Sequence, residues 1–164
     1  MKLEEVYKNI QPSVYAFFYV KTFHKETAED LTQGVFYQAV KGHHTFSGKS
    51  TIKTWVFAIA KNVLKKHFRS GASKAGANTI IQHEEAACLS PEEHFLKNVK
   101  ERRLLEEINR LDETSQEIVT LRIYGELSFK EISMLTGKTE NYARVGFHRA
   151  KVKLQQEMEG YDEG

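Results

Sequence analysis

Apolar residues recur at intervals of three and four along most of this 164-residue chain. That spacing places apolar side chains on one face of an α-helix. No segment alternates apolar and polar residues over the length of a useful strand. The chain has two prolines, well below the roughly 5% usual in globular proteins. The sequence therefore predicts an all-α fold.

A change in composition near Ser70 divides the chain. Residues 70–82 (SGASKAGANTIIQ) are mainly small and polar and lack a helical apolar spacing. Segments of this composition are typical of mobile connections between folded parts. The sequence therefore predicts two small helical domains, 1–69 and 90–164, joined by a flexible linker over 70–89.

Three helices are predicted in the first domain, or four if Pro12 divides the first one. The second helix is expected to begin near Thr27, because Thr27 and Asp30 form a capping pattern. A loop with two glycines, 42–50, separates it from a third helix predicted to end at Arg69. The apolar spacing predicts the buried face of this third helix as Ile52, Trp55, Val56, Ile59, Ala60 and Val63.

The second domain contains a predicted helix-turn-helix over 128–153. Ser128 and Glu131 form a capping box before a short helix. Gly137 then supplies the turn, because glycine tolerates a positive φ, and Thr139 caps a longer helix. In this motif the second helix enters the major groove of DNA. Helix pairs with a glycine turn also occur in proteins that never contact DNA, so the motif alone leaves both interpretations open.

The net charge of +2 conceals an uneven distribution of charge. Residues 1–70 hold 11 basic and 5 acidic residues, and residues 127–155 hold 6 basic and 2 acidic ones. The remainder is acidic. Two separated basic blocks are typical of a protein that contacts one polyanion twice. Ordinary solvated helix faces would give the same counts, so charge alone does not decide.

Several classes of protein are excluded by what the sequence lacks. Its single cysteine excludes an internal disulfide framework and any cysteine-based zinc site. The longest apolar run, Val14 to Val20, is far shorter than the roughly 18 residues that span a bilayer. No nucleotide-binding glycine loop, metal-ligand spacing or nucleophile–base pair is present. The sequence predicts a cytoplasmic, non-enzymatic protein with no metal, cofactor or small-molecule substrate.

Three segments resemble hallmark stretches of the extracytoplasmic-function (group IV) RNA polymerase sigma factors. They are AEDLTQGVF at 28–36, TWVFAIAKNVLKKHFR at 54–69, and residues 111–154, which begin LDETSQEIV. The resemblance covers nearly the whole chain in the family's order. It implies that the first domain binds core RNA polymerase and helps to melt the start-proximal promoter element. The second domain would bind the upstream promoter element.

The resemblance also implies which residues make these contacts. On the second helix, the polymerase contacts would be Asp30, Gln33 and Phe36, although Phe36 fits a plain core position slightly better. The recognition helix would contact DNA through Lys138, Thr139, Glu140, Asn141, Arg144, Val145, His148 and Arg149. Among these, Arg, Asn and His can hydrogen-bond base edges, whereas Lys is better suited to phosphates.

A second DNA-binding group belongs to the start-proximal element. The resemblance places a base-capture pocket in the loop 41–51, beside a helix whose basic side chains would hold the strand's phosphates. The residues implied are His43, His44, Phe46, Lys53, Lys61, Lys65, Lys66 and Arg69. The adjacent histidines would also suit a weak metal site, but no third ligand is evident. Trp55 is expected in the core rather than in a stacking platform.

The last helix departs from the family pattern at two positions. The family continues this helix with a basic residue followed by Ser-Arg-Leu-His-Arg-Ala. Here the run contains Val145 and Gly146 in place of the Ser and Arg. Gly146 is expected to cost about 1 kcal/mol of helix stability against alanine and to remove a DNA contact. These departures therefore fall where the resemblance places the residues that set the upstream-element sequence and the affinity of this domain.

The predicted function is that of a sigma factor of the extracytoplasmic-function type. Its expected partners are core RNA polymerase, promoter DNA and a cognate anti-sigma protein, which in this family is often membrane-anchored. One alternative is a transcription regulator that uses only the helix-turn-helix and replaces no sigma factor. An enzyme of nucleic-acid metabolism is a third, but the chain lacks paired carboxylates in a metal-binding spacing.

Overall fold

The computed structural model describes residues 3–88 and 92–163, and describes side chains over 3–71 and 99–160. All the regular elements in these residues are helices, so the predicted all-α fold is confirmed there. They form two compact units, Met1–Ala87 and Cys88–Gly164. The helices are α1 (Leu3–Thr22), α2 (Lys25–Gly42), a 3₁₀ turn (His43–Thr45), α3 (Ile52–Cys88), α4 (Glu92–Asn109), α5 (Glu113–Ile123), α6 (Phe129–Thr136) and α7 (Glu140–Glu163).

Helix α3 runs to Cys88, beyond Arg69, where the sequence predicts its end. The prediction of that end is wrong because it gave weight to the small polar residues and not to alanine. Residues 72–88 include five alanines and no proline, and alanine has the highest intrinsic helix propensity. The side chains of 72–98 lie outside the described residues. The flexibility predicted for the linker 70–89 stays a prediction.

The first unit is a three-helix arrangement around an aromatic and aliphatic core. Helix α1 packs along α2, and α3 contributes Phe57, whose ring meets that of Phe17 edge-on with centroids 5.8 Å apart. Pro12 lies inside α1 and does not divide it. The fully buried side chains from the three helices include Val14, Phe17, Phe18, Ala28, Val35, Ala39, Val56, Phe57 and Ala60.

Helix α2 begins two residues before the predicted capping pattern. The N-cap is His24, whose Nδ1 accepts a hydrogen bond from the backbone N–H of Thr27 at 3.1 Å. The Thr27 hydroxyl also lies 2.8 Å from the same nitrogen. The expected start near Thr27 is therefore wrong. The imidazole satisfies an N–H group that would otherwise be unpaired in the first turn of the helix.

The second unit places α5, α6 and α7 around a small aliphatic core. Ile108 from α4, Leu121 from α5 and Ile132 from α6 are fully buried, and Ala143 and Ala150 bring α7 against them. Asp112 caps α5 by accepting the backbone N–H of Ser115 at 3.2 Å. Hydrogen bonds from Ser115 hold the pKa of the Asp112 carboxyl below its ordinary value.

The helix-turn-helix forms through the local signals that predict it. The Ser128 Oγ accepts the N–H of Glu131, and the Glu131 carboxylate accepts the N–H of Ser128. Gly137 ends α6 with φ of +76°, and its N–H donates to the Ser133 carbonyl. Thr139 then accepts the N–H of Tyr142 and caps α7. The predicted capping box, glycine turn and second cap are all present.

Replacing Gly137 by alanine should lower the free energy of unfolding by about 1–2 kcal/mol, because a side chain is strained at positive φ. Gly34, inside α2, is the matched control, because a Cβ at either glycine meets no atom within 4 Å. The substitution Gly34→Ala should stabilise the protein by up to ~1 kcal/mol through helix propensity. Thermal unfolding followed by circular dichroism measures both. Equal shifts of the same sign would contradict the assigned turn geometry.

Candidate functional site

The outward face of α2 carries two of the three predicted polymerase contacts. Asp30 and Gln33 are exposed on the side of the helix opposite buried Ala28 and Val35. Phe36 lies at the margin of this face, half-buried, with its ring centroid 5.4 Å from that of Tyr7. It therefore belongs partly to the core.

Two apolar side chains on this face were missed by the sequence reasoning. Tyr37 is 69% exposed and Val40 is 59% exposed. At four and seven residues after Gln33, they share its side of the helix. Neither residue continues the apolar spacing of the buried face of α2. This is the signal in the sequence that could have identified them. We call Asp30, Gln33, Tyr37 and Val40 the α2 face.

The loop before α3 is built on a half-buried aromatic cluster. Phe46 packs against Trp55 with ring centroids 5.4 Å apart, and His43 lies 6.3 Å from Trp55 and 6.4 Å from Phe46. His44 is exposed beside them. Trp55 is half-buried rather than fully in the core, and its ring contacts Phe46 and His43. We call His43, Phe46 and Trp55 the loop cluster.

Tyr7 of α1 anchors the loop cluster and was not predicted from the sequence. Its hydroxyl donates to the Ala39 carbonyl at 3.1 Å and lies 3.5 Å from Nδ1 of His43. Burial raises the pKa of Tyr7 above its ordinary value. Through its hydroxyl contacts, the phenol ties the loop cluster to α1 and α2.

Three of the basic side chains predicted to hold phosphates form a row along α3, which we call the basic row. Lys61, Lys65 and Arg69 are spaced by four residues on one continuous helix, so they lie along one side of it. Lys65, Lys66 and Arg69 are exposed, whereas Lys53 and Lys61 are half-buried. A row of cations with this spacing can neutralise successive phosphates of a nucleic-acid strand.

All eight residues predicted for the recognition helix are exposed at the start of α7 or in the turn before it. Arg144 is the one whose surroundings are most defined. Its guanidinium bonds the Glu140 carboxylate at 3.1 Å and lies over the ring of Phe129, 5.4 Å from the centroid. An exposed i, i+4 ion pair contributes only ~0.3–0.5 kcal/mol, so Arg144 can exchange it for another acceptor at little cost.

Phe129 links three helices of the second unit and was not singled out by the sequence. The guanidinium of Arg122 lies over its ring at 4.3 Å from the centroid, and the Phe147 ring is 5.8 Å away. Arg122 also donates to the Leu127 carbonyl at 2.9 Å. The ring therefore joins the end of α5 and the start of α6 to the exposed side of α7.

Comparison with known families identifies both units. The sigma-70 region 2 model matches residues 6–74, and the sigma-70 region 4 model matches residues 101–154. The chain belongs to the sigma-70 family. Region 2 thus covers α1, α2 and the first part of α3, and region 4 covers the helix-turn-helix.

The curated relatives place this sigma factor in the extracytoplasmic-function class. The RNA polymerase sigma factor YlaC of Bacillus subtilis is 29% identical over 95% of this chain and 91% of its own length. The extracytoplasmic-function sigma factor BldN of Streptomyces coelicolor is 32% identical over 88% of this chain. The match spans 56% of BldN, just over half of that protein.

A solved structure shares the fold. The sigma factor RpoE of Bartonella quintana, crystallised with the anti-sigma factor NepR, superposes with a TM-score of 0.69 at 19% identity. The match covers 93% of this chain and 94% of RpoE. The two region matches and the named relatives give this chain the function of an RNA polymerase sigma factor, which directs transcription initiation.

Two features, a metal-binding cluster and a membrane-spanning helix, are absent from the described residues of this sigma factor. Within those residues, no three His, Cys, Asp or Glu side chains are grouped closely enough to hold a metal ion. None of the described helices combines the length and apolar character needed to cross a lipid bilayer.

The departure at Gly146 concerns packing more than DNA contact. A Cβ built there would lie 3.3 Å from Cδ1 of Ile118 in α5, so the position faces the core side of α7. Glycine lets the two helices approach closely, and alanine would gain helix propensity at the expense of a tight contact. The predicted loss of about 1 kcal/mol of helix stability against alanine is therefore partly offset, because glycine avoids the tight contact with Ile118. Of the two departures, the one on the exposed face is Val145.

Proposed function

We propose that the two units of this sigma factor divide promoter recognition between them. The first unit would bind core RNA polymerase through the α2 face and the start-proximal element through α3 and the loop cluster. The second would read the upstream element through α7. What supports this division is the exposure of every residue predicted for the recognition helix, all of them in the first turns of α7 or in the turn before it.

The polymerase contact would extend along the whole α2 face. Asp30 and Gln33 offer hydrogen-bonding groups, and Tyr37 and Val40 offer apolar area next to them. Aromatic residues are enriched at protein interfaces, and a rim of polar groups makes such an interface specific. Neighbouring exposed apolar side chains are more typical of an interaction surface than of a solvated helix face.

Opening of the start-proximal element would use the loop cluster and the basic row together. An unpaired base is captured by stacking on aromatic rings, and the strand's phosphates are held by cations. His43, Phe46 and Trp55 present ring edges and faces at the loop, with exposed His44 beside them. Lys53, Lys61, Lys65, Lys66 and Arg69 would supply the charge.

The partners follow from the same assignment. The matched RpoE structure is a complex with an anti-sigma factor, and we extend this to a cognate inhibitor that covers the DNA- and polymerase-binding faces here. Anchoring of that inhibitor in a membrane is a family expectation. The sigma factor itself would act in the cytoplasm, without covalent chemistry, metal or cofactor. Transcription in vitro with core RNA polymerase over fragmented genomic DNA, followed by sequencing of the starts, tests the proposal.

The double substitution Asp30→Ala and Gln33→Ala should weaken binding of core polymerase by about tenfold, the equivalent of ~1.4 kcal/mol. Both side chains project into solvent, so stability should change by less than about 1 kcal/mol. Fluorescence titration of labelled sigma factor with core polymerase measures the affinity.

The matched control is Glu5→Ala with Asn9→Ala, an acid and an amide that are likewise exposed, on α1. This control should retain the affinity for core polymerase. If the two double variants bind polymerase equally well, the α2 face is not the contact surface.

A further inference from the structure

We infer that Val145 reads the 5-methyl group of one thymine in the upstream promoter element. The inference rests on the proposed role of α7 in the major groove. It concerns the position at which this chain departs from the serine of the family pattern.

Val145 lies at the centre of the exposed side of α7. At 100° per residue, it is almost opposite the buried Ala143 and Ala150 that hold this helix against the core. It is 40% exposed and lies in the second turn of the helix, within the N-terminal part that a helix-turn-helix offers to base edges. If α7 enters the major groove, Val145 faces the base edges.

The chemistry of valine restricts what it can contact there. Its side chain has no hydrogen-bond donor or acceptor, so it gains nothing from a phosphate or from a polar base edge. The base edges of the major groove present one apolar group, the C5 methyl of thymine. A favourable contact for Val145 in the groove is therefore a contact with thymine.

The neighbours of Val145 favour DNA as the occupant of this surface over a protein. Asn141, His148 and Arg149 lie three or four residues away on the same side and are all exposed. They can hold the helix on phosphates and polar base edges. The exposed apolar side chains near Val145 on α7 are Tyr142, three residues before it, and Val152, two turns further on. The Lys138 ammonium lies 5.3 Å from the centroid of the Tyr142 ring, so the surface around Val145 is mainly polar and cationic.

The test is a thymine-by-thymine replacement with deoxyuridine, which removes only the methyl group. The upstream element is first selected from a random library by holoenzyme assembled from this chain and core RNA polymerase. Each thymine of both strands is then replaced in turn. At one position the wild-type holoenzyme should lose about fourfold in affinity, the equivalent of ~0.8 kcal/mol for one methyl group.

Four variants assign that loss to a side chain. Val145→Ala keeps one carbon that can meet the thymine methyl and should reduce the fourfold difference between thymine and deoxyuridine, whereas Val145→Ser should abolish it. Val145→Thr differs from the serine variant by one methyl group and should restore it. Val152→Ala is the matched control, because Val152 has the same 40% exposure on the same helix, and it should leave the difference intact.

The outcomes separate this inference from the proposed function. Selection of no sequence at all would contradict the proposed function, and the inference with it. A selected element that responds to no deoxyuridine replacement would overturn the inference alone. A response that persists undiminished in Val145→Ser would also overturn it, because another residue would then read the methyl and Val145 would belong to a different surface.

Discussion

Replacing Phe57 by alanine should lower the free energy of unfolding by about 3–5 kcal/mol, the range typical of a phenylalanine removed from a packed core. The ring is 0% exposed and lies edge-on against Phe17 of α1. It therefore holds α3 against the rest of the first unit. Because a domain is stable by only about 5–15 kcal/mol, this loss removes a large share of the stability and should lower the denaturant midpoint clearly. Denaturant titration followed by circular dichroism measures the change.

Phe68 is the control within the same helix. It is 40% exposed and its ring centroid lies 5.5 Å from that of His67, one residue away. The substitution Phe68→Ala should cost less than about 1 kcal/mol. Similar losses for the two phenylalanines would mean that the buried side of α3 is assigned wrongly.

Phe57 also shows the limit of apolar periodicity. The predicted buried face of α3 includes Val56 and Ala60, which are buried, but also Ile59 and Val63, which are half-buried. Phe57 and Leu64 were left out of it, and both are buried. Adjacent residues on a helix are rotated by 100° about its axis. The centre of a wide apolar stripe can therefore be predicted from the sequence only to within about one residue. The packing of α1 decides it.

Local signals were the most successful predictors. The capping box at Ser128, the glycine turn at Gly137 and the cap at Thr139 act within four residues of the chain, so tertiary packing is not needed to form them. The same kind of signal failed at α2, where His24 provides the cap ahead of Thr27. Histidine is seldom counted among capping residues, although an unprotonated ring nitrogen accepts a backbone N–H equally well.

The candidate site was predictable as a set of exposed residues but not as a set of contacts. The sequence placed Arg144 on the solvated side of α7, and the periodicity of the helix is enough for that. It did not indicate the contact of Tyr7 with His43, which are 36 residues apart. It also did not indicate that Phe129 lies against Arg122 and Arg144. Such contacts depend on how helices pack.

The substitution Arg144→Ala should reduce discrimination among upstream-element sequences by about 1–3 kcal/mol, the usual value of a good base contact. The ion pair with Glu140 that it also removes is exposed and contributes at most ~0.5 kcal/mol. A loss of discrimination near the upper value therefore reports a base contact. Competition binding of the holoenzyme to single-base variants of its promoter gives the number.

Substitutions in the basic row should impair promoter binding in a different way. Lys65→Ala and Arg69→Ala should weaken binding to all promoters alike, because a phosphate contact carries no sequence information. Each should reduce the slope of log affinity against log salt by about one unit. Lys8, exposed on α1, is the charge-matched control, and Lys8→Ala should leave the slope unchanged.

The two sets of variants can be separated further by a template whose start-proximal element is already open. If α3 and the loop cluster assist melting, a pre-opened bubble removes the step that Lys65→Ala and Arg69→Ala impair, and transcription should recover. Arg144→Ala acts on duplex DNA upstream of the bubble, so its defect should remain. Run-off transcription from matched duplex and bubble templates measures both. Equal recovery of the two sets would contradict the proposed division of promoter recognition between the two units, because the basic row would then hold duplex DNA in the same way as α7.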